Sequence, residues 1–265
     1  MNRRLGAACG LLGAALSANI QAAQIAWTFT GTVTERFDAV SDDPIADLLG
    51  VPRASSNDLS YALRIVVDTA ASRDVVLNSS AVQQVKYEDA IVSAELTLNG
   101  VSFATLRRPS EFLGGALDES EIRITNQVAS SGTDNLTLTL GTPFISPLVP
   151  KLFESYTVPF NQDISGIPVA NAEVHALFHS VNISGPGMFG GTDLPAANGA
   201  FAGANFVAIG ATLVADFGLG FGNGGMVLEL HEANFSASPV PLPAPALTMG
   251  AALAALALRR RRPAR

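Results

Sequence analysis

The sequence has few of the residues that disulfide frameworks, thiol chemistry and aromatic binding surfaces require. Of its 265 residues, one is a cysteine, Cys9, which lies in an apolar run near the N-terminus. A chain cleaved behind that run contains no cysteine, which excludes a disulfide framework, a thiol nucleophile and a cysteine metal site. Aromatic residues make up 7% of the chain, and Trp27 is the sole tryptophan. This scarcity argues against a sugar-binding face built from stacked aromatic rings.

Charged residues are also scarce, at 15% of the chain, and they are unevenly distributed. Seven of the 16 basic residues lie near the two ends, whereas all 23 acidic residues lie between them. The central part therefore has 9 basic and 23 acidic residues, a net charge of −14, compared with −7 for the whole chain. Such an acidic surface repels nucleic acid and anionic membranes and favours solubility. We expect no nucleic-acid partner.

Residues 1–23 have the three parts of a secretory signal peptide. A basic start is followed by an apolar segment (5–16) and then by small residues. The apolar segment is too short to favour a membrane anchor. We therefore predict export through the Sec machinery and cleavage by signal peptidase after Ala22 or Ala23.

The other end of the chain, residues 239–265, is also built from three parts. Four alternating prolines between 239 and 245 exclude a helix and predict an extended, accessible segment. Residues 246–258 are uncharged and rich in Ala and Leu, which predicts a helix about 20 Å long, compared with roughly 30 Å of hydrocarbon in a bilayer. Four arginines follow, and they are expected to stay on the cytoplasmic side. These are Arg259, Arg260, Arg261 and Arg262.

This tail resembles the PEP-CTERM family of bacterial sorting signals, in the variant that reads Val-Pro-Leu-Pro-Ala. The matching residues are Val240, Pro241, Leu242, Pro243 and Ala244, with Leu242 in place of the usual glutamate. The resemblance covers roughly the last tenth of the chain. It implies recognition by an exosortase, a membrane-embedded cysteine transpeptidase, and cleavage near the motif. It also implies transient residence in the inner membrane and release to the cell surface or extracellular matrix. An ordinary C-terminal membrane anchor is the alternative.

Alternation of apolar and polar residues dominates residues 24–238 and predicts an all-β domain. The clearest example is the first segment, where Ile25, Trp27 and Phe29 alternate with polar residues. Asn99-Gly100 lies between two such segments and predicts a tight hairpin, because both residues tolerate positive φ. Further strands are predicted around 61–67, 92–98, 122–124, 136–140, 173–183, 206–217 and 226–235.

Other signals complete the predicted architecture. Asp43, Pro44 and Gly50 predict a helix of about two turns. The Gly- and Pro-rich segment from Ser184 to Gly203 predicts a long loop. Together these elements favour an antiparallel β-sandwich with jelly-roll-like connections, flanked by an N-terminal signal helix and a C-terminal transmembrane helix.

Three groups of residues in the central part are candidates for ligand binding. His175 and His179 are expected on one side of a strand, about 13 Å apart, which is too far to chelate one ion. The glycines of 185–190 fit G-x-G-x-x-G, but no helix follows to hold a phosphate. An acidic group offers oxygen ligands for calcium, but it lacks EF-hand spacing, and helix capping and solvation explain it more simply. Its members are Asp38, Asp42, Asp43 and Asp47.

The sequence has no signature of a catalytic site. It contains neither the His-Glu-x-x-His of metalloproteases nor a Gly-x-Ser-x-Gly nucleophile elbow. We therefore expect an exported surface or matrix protein with a non-catalytic, structural or adhesive β-sandwich that has no cofactor and no metal. The alternatives are a module that binds carbohydrate, namely exopolysaccharide, and a secreted hydrolase.

Overall fold

The computed structural model describes residues 24–33, 35–38, 43–51, 59–106, 109, 119–128, 132–141, 152–195, 201, 203–219, 222–231 and 234–240. The predicted signal peptide, Pro241 to Ala244, the apolar segment 246–258 and the arginine cluster lie outside the described residues. Within the described ranges, no helix has the length and apolar character needed to cross a membrane.

The described residues form fourteen strands and one short helix. The first half contains β1 (Gln24–Thr32), β2 (Glu35–Asp38), α1 (Asp43–Leu49), β3 (Ser60–Asp68), β4 (Asp74–Asn78), β5 (Val82–Tyr87), β6 (Ile91–Leu98) and β7 (Val101–Ala104). The second half contains β8 (Glu119–Gln127), β9 (Thr133–Gly141), β10 (Ser155–Ile164), β11 (Ile167–Pro186), β12 (Phe206–Asp216), β13 (Gly222–His231) and β14 (Asn234–Pro239).

These strands form two antiparallel sheets that share one hydrophobic core. The smaller sheet has the order β14-β1-β3-β6-β7, and the larger has the order β2-β13-β12-β11-β9-β8-β5-β4, with β10 paired to β11. Trp27 and Phe103 from the smaller sheet and Leu138 and Leu213 from the larger sheet are buried in the same cluster. Alternating strands bury one face each, which is the pattern expected when two sheets cover one core. The prediction of an all-β antiparallel domain is confirmed.

The predicted hairpin and helix are both present. Asn99 and Gly100 link β6 to β7 with φ angles of 46° and 87°, the left-handed region that the Asn-Gly pair was expected to supply. Helix α1 spans Asp43–Leu49 and ends at Gly50, whose φ is 65°. The N–H of Val51 donates to the carbonyl of Ala46 at 3.0 Å, which satisfies a carbonyl at the end of the helix.

Strand β11 corrects the expectation for the two histidines. Its pairing with β12 shifts register between Ala176 and Phe178, so one extra residue lies on β11. Side chains alternate between faces, and an extra residue reverses which positions face the core. Val174 and Ala176 are buried before the shift, and residues at odd positions are buried after it. His175 and His179 therefore lie on opposite faces of the strand, and the prediction that they share one side is wrong.

Several predicted boundaries also differ from the structure. Strand β11 extends to Pro186, so the loop that was expected from Ser184 begins at Gly187. The segment 226–235 falls in two strands, β13 and β14. Strands β2, β4, β5 and β10 were not predicted. Apolar and polar residues do not alternate cleanly in β4 and β5, whereas β10 begins with an alternation of Tyr156, Val158 and Phe160 that was overlooked.

Residues 25–238 form one compact unit, and the two chain ends belong to a second unit. In the second unit the described residues are Gln24, Pro239 and Val240. The N–H of Val240 donates to the carbonyl of Gln24 at 3.0 Å. The residue that opens the predicted sorting motif is thus hydrogen-bonded to the first residue of β1.

Candidate functional site

The loop between β11 and β12, described at residues 187–195, 201 and 203–205, is attached to the ends of neighbouring strands. Asp134, a fully buried residue of β9, is the centre of this attachment. Its carboxylate accepts the N–H of Gln127 through one oxygen and the N–H of Phe189 through the other, both at 2.7 Å. A buried carboxylate must be hydrogen-bonded, and bonds to a charged acceptor are stronger than neutral ones. Asp134 therefore fixes the start of the loop to the end of β8.

A second attachment joins the middle of the loop to β5. The hydroxyl of Tyr87 donates to the carbonyl of Thr192 at 2.9 Å. Burial is the main cause that raises the pKa of Tyr87, so its phenol keeps the proton that it donates. Beside it, the guanidinium of Arg73 contacts the carboxylate of Asp193 at 2.8 Å. Both partners of that ion pair are exposed, so it adds little stability.

The far end of the described loop is held by the smaller sheet. The indole N–H of Trp27 donates to the carbonyl of Pro195 at 2.9 Å. The ring of Phe201 lies between three other rings, with centroids 6.2 Å from Trp27, 6.2 Å from Phe189 and 4.3 Å from Phe235. Edge-to-face aromatic contacts at such distances are favourable. The loop thus covers one end of the core instead of running free over the surface.

The glycines in the G-x-G-x-x-G segment have steric roles. A Cβ on Gly185 would lie 2.2 Å from the carbonyl oxygen of Gly203, so only glycine allows these two stretches of backbone to pass so closely. Gly187 has a φ of 60°, in the left-handed region, and turns the chain out of β11. These contacts account for the first two glycines without a phosphate ligand.

Two shallow cavities adjoin the attached loop and share Phe189 and Gly190. The first, about 310 Å³, is also lined by Met188, Gly191, Asp193 and Pro195. The second, about 300 Å³, is also lined by Asn126, Gln127, Val128, Gly132 and Gly187. Side-chain amides and a phenyl ring offer hydrogen bonds and an apolar surface to a neutral polar ligand. We take these cavities as the candidate binding site.

The predicted histidines do not contribute to this site. His179 is fully buried, and its ring lies 4.8 Å from that of Phe153. Burial lowers its pKa from 6.5 to about 4, so the ring is neutral at pH 7. Neither ring nitrogen of His179 has a hydrogen-bond partner among the described residues, so His179 is not part of a catalytic relay there. His175 lies on the other face, opposite Val214.

The acidic residues proposed for calcium are only partly described. Asp47 lies exposed on α1. Asp42 and the side chains of Asp38 and Asp43 lie outside the described residues. In the described part of the chain, no three His, Cys, Asp or Glu side chains are arranged to hold a metal ion. Calcium binding at this cluster was the alternative to capping and solvation, and the described residues do not test it.

The sequence analysis missed Asp134, although the pattern contains a signal for it. Asp134 continues the two-residue spacing of Leu136, Leu138 and Leu140, all of which are buried. A carboxylate at an inward position of a strand is rarely buried without partners, so this position indicates a hydrogen-bonded structural site.

No family model matches the chain, and no curated protein or solved structure is significantly similar to it. The candidate site therefore rests on its own geometry.

Proposed function

We propose that this chain is an exported bacterial protein of the cell surface or extracellular matrix, that an exosortase processes it, and that its β-domain has a structural or adhesive role without catalysis. The observation that carries this proposal is the order of the tail. Val240 to Ala244 match the motif. An apolar segment that is too short for a stable membrane span follows the motif, and Arg259 to Arg262 follow that segment.

The position of the motif relative to the last strand supports this proposal. Strand β14 ends at Pro239, and the motif begins with the next residue. Cleavage after Val240 or beyond leaves every described strand intact. The folded domain then needs no rearrangement when the tail is removed. We also propose that the strands have jelly-roll-like connections. We propose that residues 1–23 and 246–258 form the signal helix and the membrane helix.

The second candidate function is carbohydrate binding, and the two cavities beside the loop favour it. Asn126, Gln127 and Phe189 are among the residues that line a cavity of about 300 Å³. Neutral sugars are bound by such combinations of hydrogen bonds and apolar contact. In this candidate function, exopolysaccharide would be held at the loop end of the domain.

Processing is tested with paired variants of the tail. In the natural host, the double variant Pro241→Ala, Pro243→Ala is expected to keep its tail and remain in the inner membrane. Pro245→Ala lies outside the motif and serves as the matched control, which is expected to be processed normally. Cells that lack the exosortase are expected to retain the unaltered protein in the same form as the double variant. Equal processing of all three proteins, with or without the enzyme, contradicts the proposal.

Carbohydrate binding is tested on protein purified from producing cells, with the host exopolysaccharide and a glycan array as probes. Loss of binding in Phe189→Ala, with binding retained in the exposed control Phe206→Ala, supports the candidate site. Binding that is equal in both variants excludes that site. Failure to bind any polysaccharide contradicts the second candidate function and leaves the processing result unaffected.

A further inference from the structure

The last strand of the larger sheet has no described segment along its outer edge. Strand β4 (Asp74–Asn78) is terminal in the strand order, and β5 is its partner on one side. All five residues of β4 are exposed. Backbone N–H and C=O groups on such an edge are available to pair with another strand.

Three consecutive side chains on this edge are large, apolar and exposed. Val75 is 61% exposed, Val76 is 51% exposed and Leu77 is 47% exposed. They belong to a group of seven large hydrophobic residues in the described part of the chain that are exposed to a similar degree. Within that group, these three are consecutive in the sequence. A contiguous apolar group on a free edge is typical of an interaction surface, whereas single exposed apolar residues are ordinary.

At the edge of the smaller sheet, a second segment pairs with the end of β7. The N–H of Leu106 donates to the carbonyl of Leu152 at 2.8 Å, and the N–H of Glu154 donates to the carbonyl of Ala104 at 2.8 Å. The segment that begins at Leu152 therefore lies beside the last residue of β7 and the two residues that follow it. No described segment does this for β4.

The sequence of β4 is complementary to itself when two copies run antiparallel. With Val76 opposite Val76 of a second copy, Val75 lies opposite Leu77, and Asp74 lies opposite Asn78. Apolar residues then meet apolar residues, and the two Asp74 residues are about 14 Å apart at opposite ends of the pair. Such an arrangement has two-fold symmetry and closes after two copies.

The pairing of β4 with β5 is irregular at the centre of this arrangement. Val75 pairs with Val85 and Leu77 pairs with Gln84, so Val76 has no partner residue on β5. The extra residue of a bulge is left out of its own ladder. The centre of the self-complementary arrangement is therefore a residue that β5 leaves without an opposite residue.

Charge near the edge is balanced, although the central part of the chain is strongly acidic. Lys86 on β5 contacts Glu88 at 2.7 Å and Glu121 on β8 at 3.1 Å. Arg123 contacts the same Glu121 at 2.8 Å. These neutralised pairs lie on the two strands next to β4, so repulsion between two copies is lower here than the net charge suggests.

We propose that two copies of this chain associate through their β4 strands, antiparallel and centred on Val76, to form a continuous sheet across the dimer. The interface is small, so the dimer is expected to be weak and to depend on protein concentration. This proposal is independent of the exosortase and of carbohydrate binding.

The association is measured by analytical ultracentrifugation of protein purified from producing cells. A shift from monomer to dimer is expected between about 1 µM and about 500 µM, the range in which a small interface forms. Val76→Lys is expected to keep the protein monomeric across this range, because it places two like charges on the symmetry axis. Leu106→Lys changes a residue of similar exposure just beyond β7 and is expected to dimerise like the unaltered protein.

The register is tested by single cysteines in a Cys9→Ser background, with copper phenanthroline as oxidant. Val76→Cys is expected to give a disulfide-linked dimer, because directly opposed residues have Cβ atoms about 4.5–5.5 Å apart. Asn78→Cys is expected to stay monomeric, since its two copies would be about 14 Å apart, too far for a disulfide. A monomer at every concentration, dimers unaffected by Val76→Lys, assemblies larger than two, or equal cross-linking of both cysteine variants overturns the proposal.

Discussion

His179 makes the stability of the domain depend on pH in a way that one substitution should remove. Its side chain lies on the core face of β11, opposite Leu140 on one neighbouring strand and Ala211 on the other. It is fully buried, and neither ring nitrogen has a described hydrogen-bond partner. The folded protein therefore holds a neutral imidazole that cannot accept a proton without a charge being buried.

The size of this pH effect on the free energy of unfolding follows from the difference between the pKa values of His179 in the folded and unfolded states. In the unfolded chain the pKa is near 6.5, and burial lowers it to about 4 in the folded protein. Between these values the unfolded state binds the extra proton, so the free energy of unfolding falls as pH is lowered from 6.5 and levels off below 4. At about 1.4 kcal/mol per pKa unit, the loss is about 3 kcal/mol.

The assay is urea unfolding of the unaltered protein and of His179→Leu at pH 7 and pH 4. Leucine removes the titrating group and the unsatisfied donor, so the variant is expected to be more stable by about 1–3 kcal/mol at pH 7. The stability difference is expected to widen by about 3 kcal/mol at pH 4. His179→Gln is the control: it stays polar and does not titrate, so it is expected to share the flatter pH dependence without the gain at pH 7. A constant difference between His179→Leu and the unaltered protein at both pH values refutes the reasoning.

Two further predictions concern the attachment of the loop. Asp134→Asn removes the charge that accepts the N–H groups of Gln127 and Phe189, so urea unfolding should show a loss of about 1–3 kcal/mol, whereas the exposed control Asp193→Asn should lose less than about 1 kcal/mol. Equal losses contradict the role of Asp134. Gly185→Ala forces a Cβ against the backbone and should lower the thermal midpoint more than Gly190→Ala, where nothing lies within 4 Å; equal midpoints would show that the two backbone stretches are not closely packed.

The local sequence pattern was sufficient to predict those elements whose own residues determine their conformation. The Asn99-Gly100 turn and helix α1 depend on φ preferences and capping that neighbours along the chain supply. The inward leucines of β9 repeat every second residue, so burial of one face follows directly from the sequence. These features were predicted because a short segment contains the physics that produces them.

The shift in β11 shows what a fixed two-residue period misses. Apolar residues occupy even positions at Val174 and Ala176 and odd positions at Val181 and Ile183. This change of parity is visible in the sequence and indicates a bulge. The prediction assumed constant alternation through the strand, and it therefore placed both histidines on one side.

The attached loop was beyond local reasoning for a different reason. Trp27 and Pro195 are 168 residues apart, and the chain between them contains nothing that specifies their contact. Tyr87 and Thr192 are joined over 105 residues. Such contacts are set by how the two sheets and their loops pack, so the loop was predicted from the sequence but its attachments were not.

The intact mass of the mature protein, isolated from its natural host, tests the central claim most directly. The account predicts a chain that begins after Ala22 or Ala23 and ends near the motif at 240–244, with or without a covalent attachment at its new C-terminus. In a host without the exosortase, the mass should include residues up to Arg265. A protein from the unaltered host that still ends at Arg265 would contradict the account.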